Sequence, residues 1–276
     1  MGFGERLVEA VVRCGSPLVV GIDPHRGRLP HPIVGKLGDP RSALVEWGCG
    51  VVEAVDGVAV AVKPQVAFFE QWGADGVGAL SQVVAHARRL GVLVILDAKR
   101  GDIGSTAEAY AHATLDDDGP MGADAVTLSP YLGAESLAPF VKRAEQGKGL
   151  FVLVRTSNPG AGEWQAEIAP RVAAWIRETN ARLGGDPGPV GAVVGATLPG
   201  EPWRSQMPGA WFLAPGIGAQ GAGPDDVGGH RRADGGGLLA MSARGVLFGE
   251  EQREGASWQD GVRARARALA DRFAPT

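Results

Sequence analysis

The stretch Asp97-Ala-Lys99-Arg-Gly-Asp102 stands at the end of a continuously apolar run, GVLVILDAK. Side chains two apart on a strand face the same way, so Asp97 and Lys99 are expected to point together. Lys63 closes a second apolar run, VAVAVK, and Asp23 closes a third, VVGID. An inward lysine is costly to desolvate unless a carboxylate pairs with it, and Asp97 is the partner at hand. Alternating ammonium and carboxylate groups of this kind can hold charge against a reacting centre and pass it a proton. The same D-x-K-x-x-D spacing also fits a salt-bridged strand end, and Asp23 alone fits a polar residue leaving the core. Whether the strands converge on one rim separates these readings. Asp102 lies beyond Gly101 on the loop and need not share the direction of Asp97.

A second group of motifs suits an anion. Arg155-Thr-Ser157-Asn-Pro-Gly160 ends one apolar run. Pro215-Gly-Ile-Gly-Ala-Gln220-Gly and Ser242-Ala-Arg244-Gly end two others. Glycines let backbone N–H groups approach an anion, and an arginine can grip it bidentately. The five histidines show no ligand spacing, and Asp116-Asp117-Asp118 reads as a solvated helix end and not as a metal site. Neither a Walker A pattern nor a G-x-S-x-G elbow is present.

The elements that must position these residues alternate along the chain. Eight apolar runs read as strands covered on both faces: Pro17–Asp23, Val58–Lys63, Gly91–Lys99, Ala123–Ser129, Gly149–Arg155, Val190–Thr197, Ala210–Pro215 and Gly237–Ser242. Between and after them, Ser42–Ala54, Gly76–Leu90, Thr106–Leu115, Ser136–Gln146, Ala166–Leu183 and Ser257–Phe273 carry helical spacing, the last with Ser257 as N-cap. Such alternation closes either as an open doubly wound sheet or as an α/β (β/α)8 TIM barrel; eight strands in 276 residues favour the barrel, as one domain over 1–276. Catalytic residues of that fold sit at the C-terminal mouth, and the loops after strands seven and eight are its usual phosphate site. The glycine-rich segment Gly216–Gly237 breaks the rhythm and reads as a functional or disordered loop.

Composition narrows the function further. There are 43 glycines, about double the usual share, without a collagen period. A net charge of −4 argues against a nucleic-acid partner but not against a small anion. Two cysteines, Cys14 and Cys49, make no disulfide framework, so a cytoplasmic location is expected. The acid-bearing N-terminus is no signal peptide, and no apolar run is long enough to span a membrane.

In chain order, GIDP, KPQVAFFE, LDAKRGDIGST, VRTSNPG, APGIGAQG and SARGVLF resemble the orotidine 5′-phosphate decarboxylase family, in the branch with longer chains and a TSNPG-type segment. The resemblance covers nearly the whole chain. It implies decarboxylation of orotidine 5′-monophosphate (OMP) to uridine 5′-monophosphate (UMP), the last step of de novo UMP synthesis. It implies a catalytic tetrad of Lys63, Asp97, Lys99 and Asp102, with no cofactor and no metal. In the family the last aspartate and a threonine matching Thr106 reach into the neighbouring subunit's site, which implies a homodimer. Asp23 would hold the ribose, Ser157 the pyrimidine edge, and Arg244 the phosphate. Pro215 and Gln220 would belong to the loop that closes over the ligand. Arg231 or Arg232 is a candidate to share the phosphate, and Ala243 stands where a Gly or Ser is common.

The residues suit that chemistry. Loss of CO2 from C6 leaves a vinyl-type carbanion that no side chain stabilises covalently. An ammonium beside C6 stabilises it electrostatically and then protonates it, and Lys99 is the candidate. The alternatives are a metal-dependent phosphosugar decarboxylase or aldolase of the same superfamily, against which Lys63 and the TSNPG segment speak, and a non-catalytic phosphate-binding barrel.

Overall fold

The computed structural model describes residues 1–218, 221–249 and 256–274. Eight parallel strands pair in chain order and close on themselves: β1 (Leu18–Ile22), β2 (Ala61–Pro64), β3 (Leu93–Arg100), β4 (Ala125–Leu128), β5 (Gly149–Arg155), β6 (Val190–Val194), β7 (Phe212–Pro215) and β8 (Leu238–Ser242). Each expected apolar run holds one strand, with ends displaced by up to three residues. The barrel is therefore the closure the chain adopts, and the open sheet is not.

Alternation along each strand makes two buried layers. Val19, Ala61, Ile95, Ala125, Phe151, Val193, Leu213 and Leu239 pack together inside the barrel. Their neighbours Val20, Val62, Leu96, Val126, Val152, Ala192 and Phe212 pack outward under the helices. Both faces are dry, which is why the runs are apolar without alternation.

The helix Phe3–Cys14 was not anticipated from the sequence. Phe3, Leu7 and Ala10 join the inner cluster, so this helix plugs one end of the barrel. The outer helices include Pro40–Val55, Gly73–Arg89, Gly104–Leu115, Ala161–Leu183 and Trp258–Phe273. Ser257 caps the last, accepting from Asp260 N at 3.1 Å, as its position predicted. None of the described helices is long and apolar enough to cross a membrane.

The described residues of the segment 216–237 are packed and not disordered. The segment carries a 3-10 turn, Asp225–His230, and its Ile217, Ala222, Val227 and His230 are buried. Arg204 ties it down, donating to the carbonyls of His230 and Gly237. It fills the place of the missing outer helix between β7 and β8, a packing role that its polar, glycine-rich composition hides.

Candidate active site

The inner face becomes the site at the C-terminal ends of the first four strands. Two-residue steps from Val19, Ala61, Ile95 and Ala125 lead to Asp23 just past β1, Lys63 on β2, Asp97 on β3 and Thr127 on β4. Lys63 Nζ donates to Asp97 Oδ2 at 2.5 Å, and Lys99 Nζ donates to Asp97 Oδ1 at 2.6 Å. Gln65 Nε2 adds a third bond, to Oδ2 at 3.0 Å, and Thr127 Oγ1 a fourth, to Oδ1 at 2.9 Å. Asp97 is almost fully buried, and burial opposes its charge. The ammonium groups of Lys63 and Lys99 and their hydrogen bonds outweigh that and hold the carboxyl well below the usual range. Gln65 and Thr127 were missed in the sequence. Thr127 is the lone polar residue of AVTL, a weak signal by itself.

Lys99 owes its place to more than alternation. Leu96 stands opposite Val126, but the next pair is Arg100 with Leu128. Three residues of β3 thus face Thr127 alone, a bulge that re-aims the strand end. Lys99 takes φ +46°, the single non-glycine residue with positive φ among the described residues. Such a conformation costs on the order of 1–3 kcal/mol and persists only where its surroundings enforce it. Its N–H donates to Thr127 Oγ1 at 2.9 Å. The Lys99 side chain remains 45% exposed while that of Lys63 is 4% exposed, so Lys99 is the ammonium that a ligand in the mouth can meet.

Asp23 completes the rim without bonding to it. Its Oδ1 is buried and has no hydrogen-bond partner among the described residues. Burial raises its pKa, against the pull of Lys63. A buried, unpaired acceptor of this kind suits a ligand hydroxyl. Asp102 lies outside the array: it accepts from Ile103 N at 2.8 Å and forms no ion pair among the described residues. Thr106, on the following helix, is exposed.

The opposite rim is built from loops. Gln165 clamps the turn after β5, accepting from Thr156 N at 2.8 Å and donating to Thr156 Oγ1 at 2.7 Å. Ser157 follows, half-buried, over Gly195; a Cβ at Gly195 would stand 3.0 Å from that of Ser157, close enough that Ser157 would have to shift by a few tenths of an ångström. Pro215 ends β7, and its carbonyl accepts from Ala196 N at 2.9 Å. Gln220 lies outside the described residues. Arg244 opens a short helix, Arg244–Leu247, directly after β8; it is exposed and has no ion pair among the described residues.

Two further candidates resolve otherwise. Arg231 donates to Gly235 O and Phe273 O, and Arg232 pairs with Asp186 and Asp234. Asp186 and Gly235 precede β6 and β8, at the end of the barrel away from the mouth, so neither arginine is placed to share an anion with Arg244. His112, Asp116 and Asp118 do cluster, but Arg143 already engages both oxygens of Asp116 at 2.8 Å and draws its pKa down to about 2.

Residues 16–257 match the sequence profile of the orotidine 5′-phosphate decarboxylase / HUMPS family. An orotidine 5′-phosphate decarboxylase of Rhodopirellula baltica is 43% identical over 290 aligned positions, covering 96% of each chain. One from Streptomyces coelicolor is 46% identical over 234 positions, 82% of each. Among solved structures, an OMP decarboxylase of Leishmania donovani superposes with a TM-score of 0.80 at 35% identity, covering 99% of this chain and 98% of that one.

Proposed function

This chain belongs to the orotidine 5′-phosphate decarboxylase / HUMPS family, and from that premise we propose that it converts OMP to UMP and CO2 with Lys99 as the proton donor. The observation that carries the reading is Asp97, buried between two lysines at the mouth of a closed barrel. In the reaction the bond from C6 to the carboxylate breaks, CO2 departs, and its electron pair stays on C6. The Lys99 ammonium faces that carbanion, gives it a proton, and recovers one from water. Two unit charges at ~4 Å interact by about 4 kcal/mol at an effective dielectric near 20. About 1.4 kcal/mol is tenfold in rate, so this contact supplies roughly three decades. Asp97 pairs with both lysines and orients them.

The other groups bind. Asp23 offers its unpaired oxygen to a ribose hydroxyl, Ser157 meets the pyrimidine edge, and Arg244 takes the phosphate. Pro215 and Gln220 belong to the loop that closes over the nucleotide. Asp102 and Thr106 serve the site of a second copy, making a homodimer with shared sites. Supporting this, Asp102 has no ion pair among the described residues, and Ile103, next in the chain, and Tyr131 and Leu132, in the loop after β4, are exposed apolar side chains. Residues 1–276 act as one catalytic domain, in the cytoplasm, where free thiols such as Cys14 and Cys49 persist.

Incubation of purified protein with OMP and a chelator, followed by absorbance and CO2 release, tests the reading. Turnover without added metal supports it. Binding of UMP without any CO2 release would reduce the protein to a nucleotide-binding barrel, and turnover of a phosphosugar restored by a divalent metal would move it to the other branch of the family.

A further inference from the structure

We infer that Thr127 is a positioning residue whose single hydroxyl fixes the Lys99 ammonium against Asp97. The inference rests on the reading of Lys99 as the proton donor.

Thr127 is 1% exposed on an inner-facing position of β4. It stands alone opposite the three bulged residues of β3. In an unbroken ladder the Lys99 N–H would find a backbone carbonyl of the neighbouring strand. At the bulge it finds Thr127 Oγ1, at 2.9 Å. An N–H only donates, so the hydroxyl must accept there, and its one hydrogen is left to point elsewhere. It points to Asp97 Oδ1, 2.9 Å away. That same oxygen accepts from Lys99 Nζ at 2.6 Å.

The result is a closed ring. Lys99 is tied to one carboxylate oxygen twice, through its ammonium and through its main chain by way of Thr127. The left-handed backbone of Lys99 and the Oδ1 side of the Asp97 carboxylate are thereby linked through one group. Without the hydroxyl, the N–H of Lys99 loses its acceptor, and the backbone conformation loses the contact that enforces it. The ammonium then sits less well for C6, while the ribose and phosphate contacts stay where they were.

Two substitutions separate this from a packing role. Thr127→Val keeps the branched shape and removes the hydroxyl. Thr127→Ser keeps the hydroxyl and removes a buried methyl. In steady-state OMP turnover by the full-length protein, we expect Thr127→Val to lower kcat about thirtyfold, in keeping with the cost of a small misplacement of a catalytic group, with UMP affinity within about twofold. Thr127→Ser should keep kcat within about threefold, although the void it leaves lowers its thermal midpoint. A residue that only packs gives the reverse order, with Ser the worse variant. Wild-type kcat in Thr127→Val, or a Ser variant as slow as Val, overturns the inference. Failure of the parent reading looks different: the wild-type protein itself would then release no CO2 from OMP.

Discussion

Across the ends of β2 and β3 the charged side chains of Lys63, Asp97 and Lys99 meet one another within a single chain; across the ends of β5 to β8 no such array forms among the described residues. On the first side Asp97 collects four donors, and one of them arrives by way of a strained backbone. On the second side Arg244 is exposed, and the loop after β7 turns through Gly216 and Gly218 at φ 115° and 73°. Asp97 has donors on both of its oxygens within its own chain, whereas Arg244 stands open to solvent. A pre-formed charge array need not reorganise when the transition state develops, which is where electrostatic catalysis gains most. A loop that closes on a remote phosphate can spend that binding energy on assembling the site. The two halves should therefore fail in different ways.

The sharpest test of the difference is Lys99→Ala. Turnover of OMP should fall by about three decades or more, while UMP binding, measured by calorimetry, persists. Near-normal turnover would break the assignment of chemistry to this half. Next comes the proposal that two copies share each site. Asp102→Ala and Lys99→Ala should each be nearly inactive alone. Mixed and allowed to exchange subunits, they should recover roughly a quarter of wild-type activity, because half the dimers are hybrids and each hybrid has one intact site. No recovery after demonstrated exchange would return Asp102 to its own loop.

Arg244→Ala probes the other half. Loss of a charge-assisted, two-point grip on a phosphate should lower kcat/KM for OMP by about ten- to a hundredfold. Orotidine, which has no phosphate, should be turned over equally by variant and wild type. If orotidine suffers as much as OMP, Arg244 acts on the structure and not on the phosphate, and the division between the halves is lost.

The two halves were also unequally legible in the sequence. Apolar runs ending in Asp23, Lys63 and Asp97 point to one rim as soon as the strands close in order, since a period of two fixes which residues share a face. The bulge that turns Lys99 was not legible, because it depends on the register of β3 against β4, a long-range pairing that no local pattern encodes. Thr127 and Gln65 were hidden for the same reason: each is a single polar residue whose partner, Asp97, lies about thirty positions away. In the second half, Arg244 and the TSNPG turn could be picked out by type. The packing of the segment 216–237 was not legible, because its buried residues are few and spaced by glycines, and only the fold shows Arg204 pinning it. The N-terminal plug was missed because an amphipathic helix does not say which surface it covers.

The smallest expected effect lies at the seam between the halves. Asp23 borders the array, within reach of the fields of Lys63 and Asp97, yet one of its oxygens is buried with no partner among the described residues. Burial raises its pKa, so on acidification it takes up a proton at a higher pH than an ordinary carboxylate. Protonation removes the charged acceptor that a ribose hydroxyl would use. Asp23→Asn lacks that charge at every pH but keeps an acceptor oxygen, so near neutrality it should bind UMP only about five- to tenfold more weakly than wild type. As pH falls, the wild type loses its advantage and the two dissociation constants converge, beginning above the usual carboxylate range. The phosphate of UMP also titrates, near pH 6, but it does so in both proteins and cancels from their ratio. A ratio that stays constant down to pH 4 would mean that Asp23 meets no ligand hydroxyl and belongs with the pre-formed half alone.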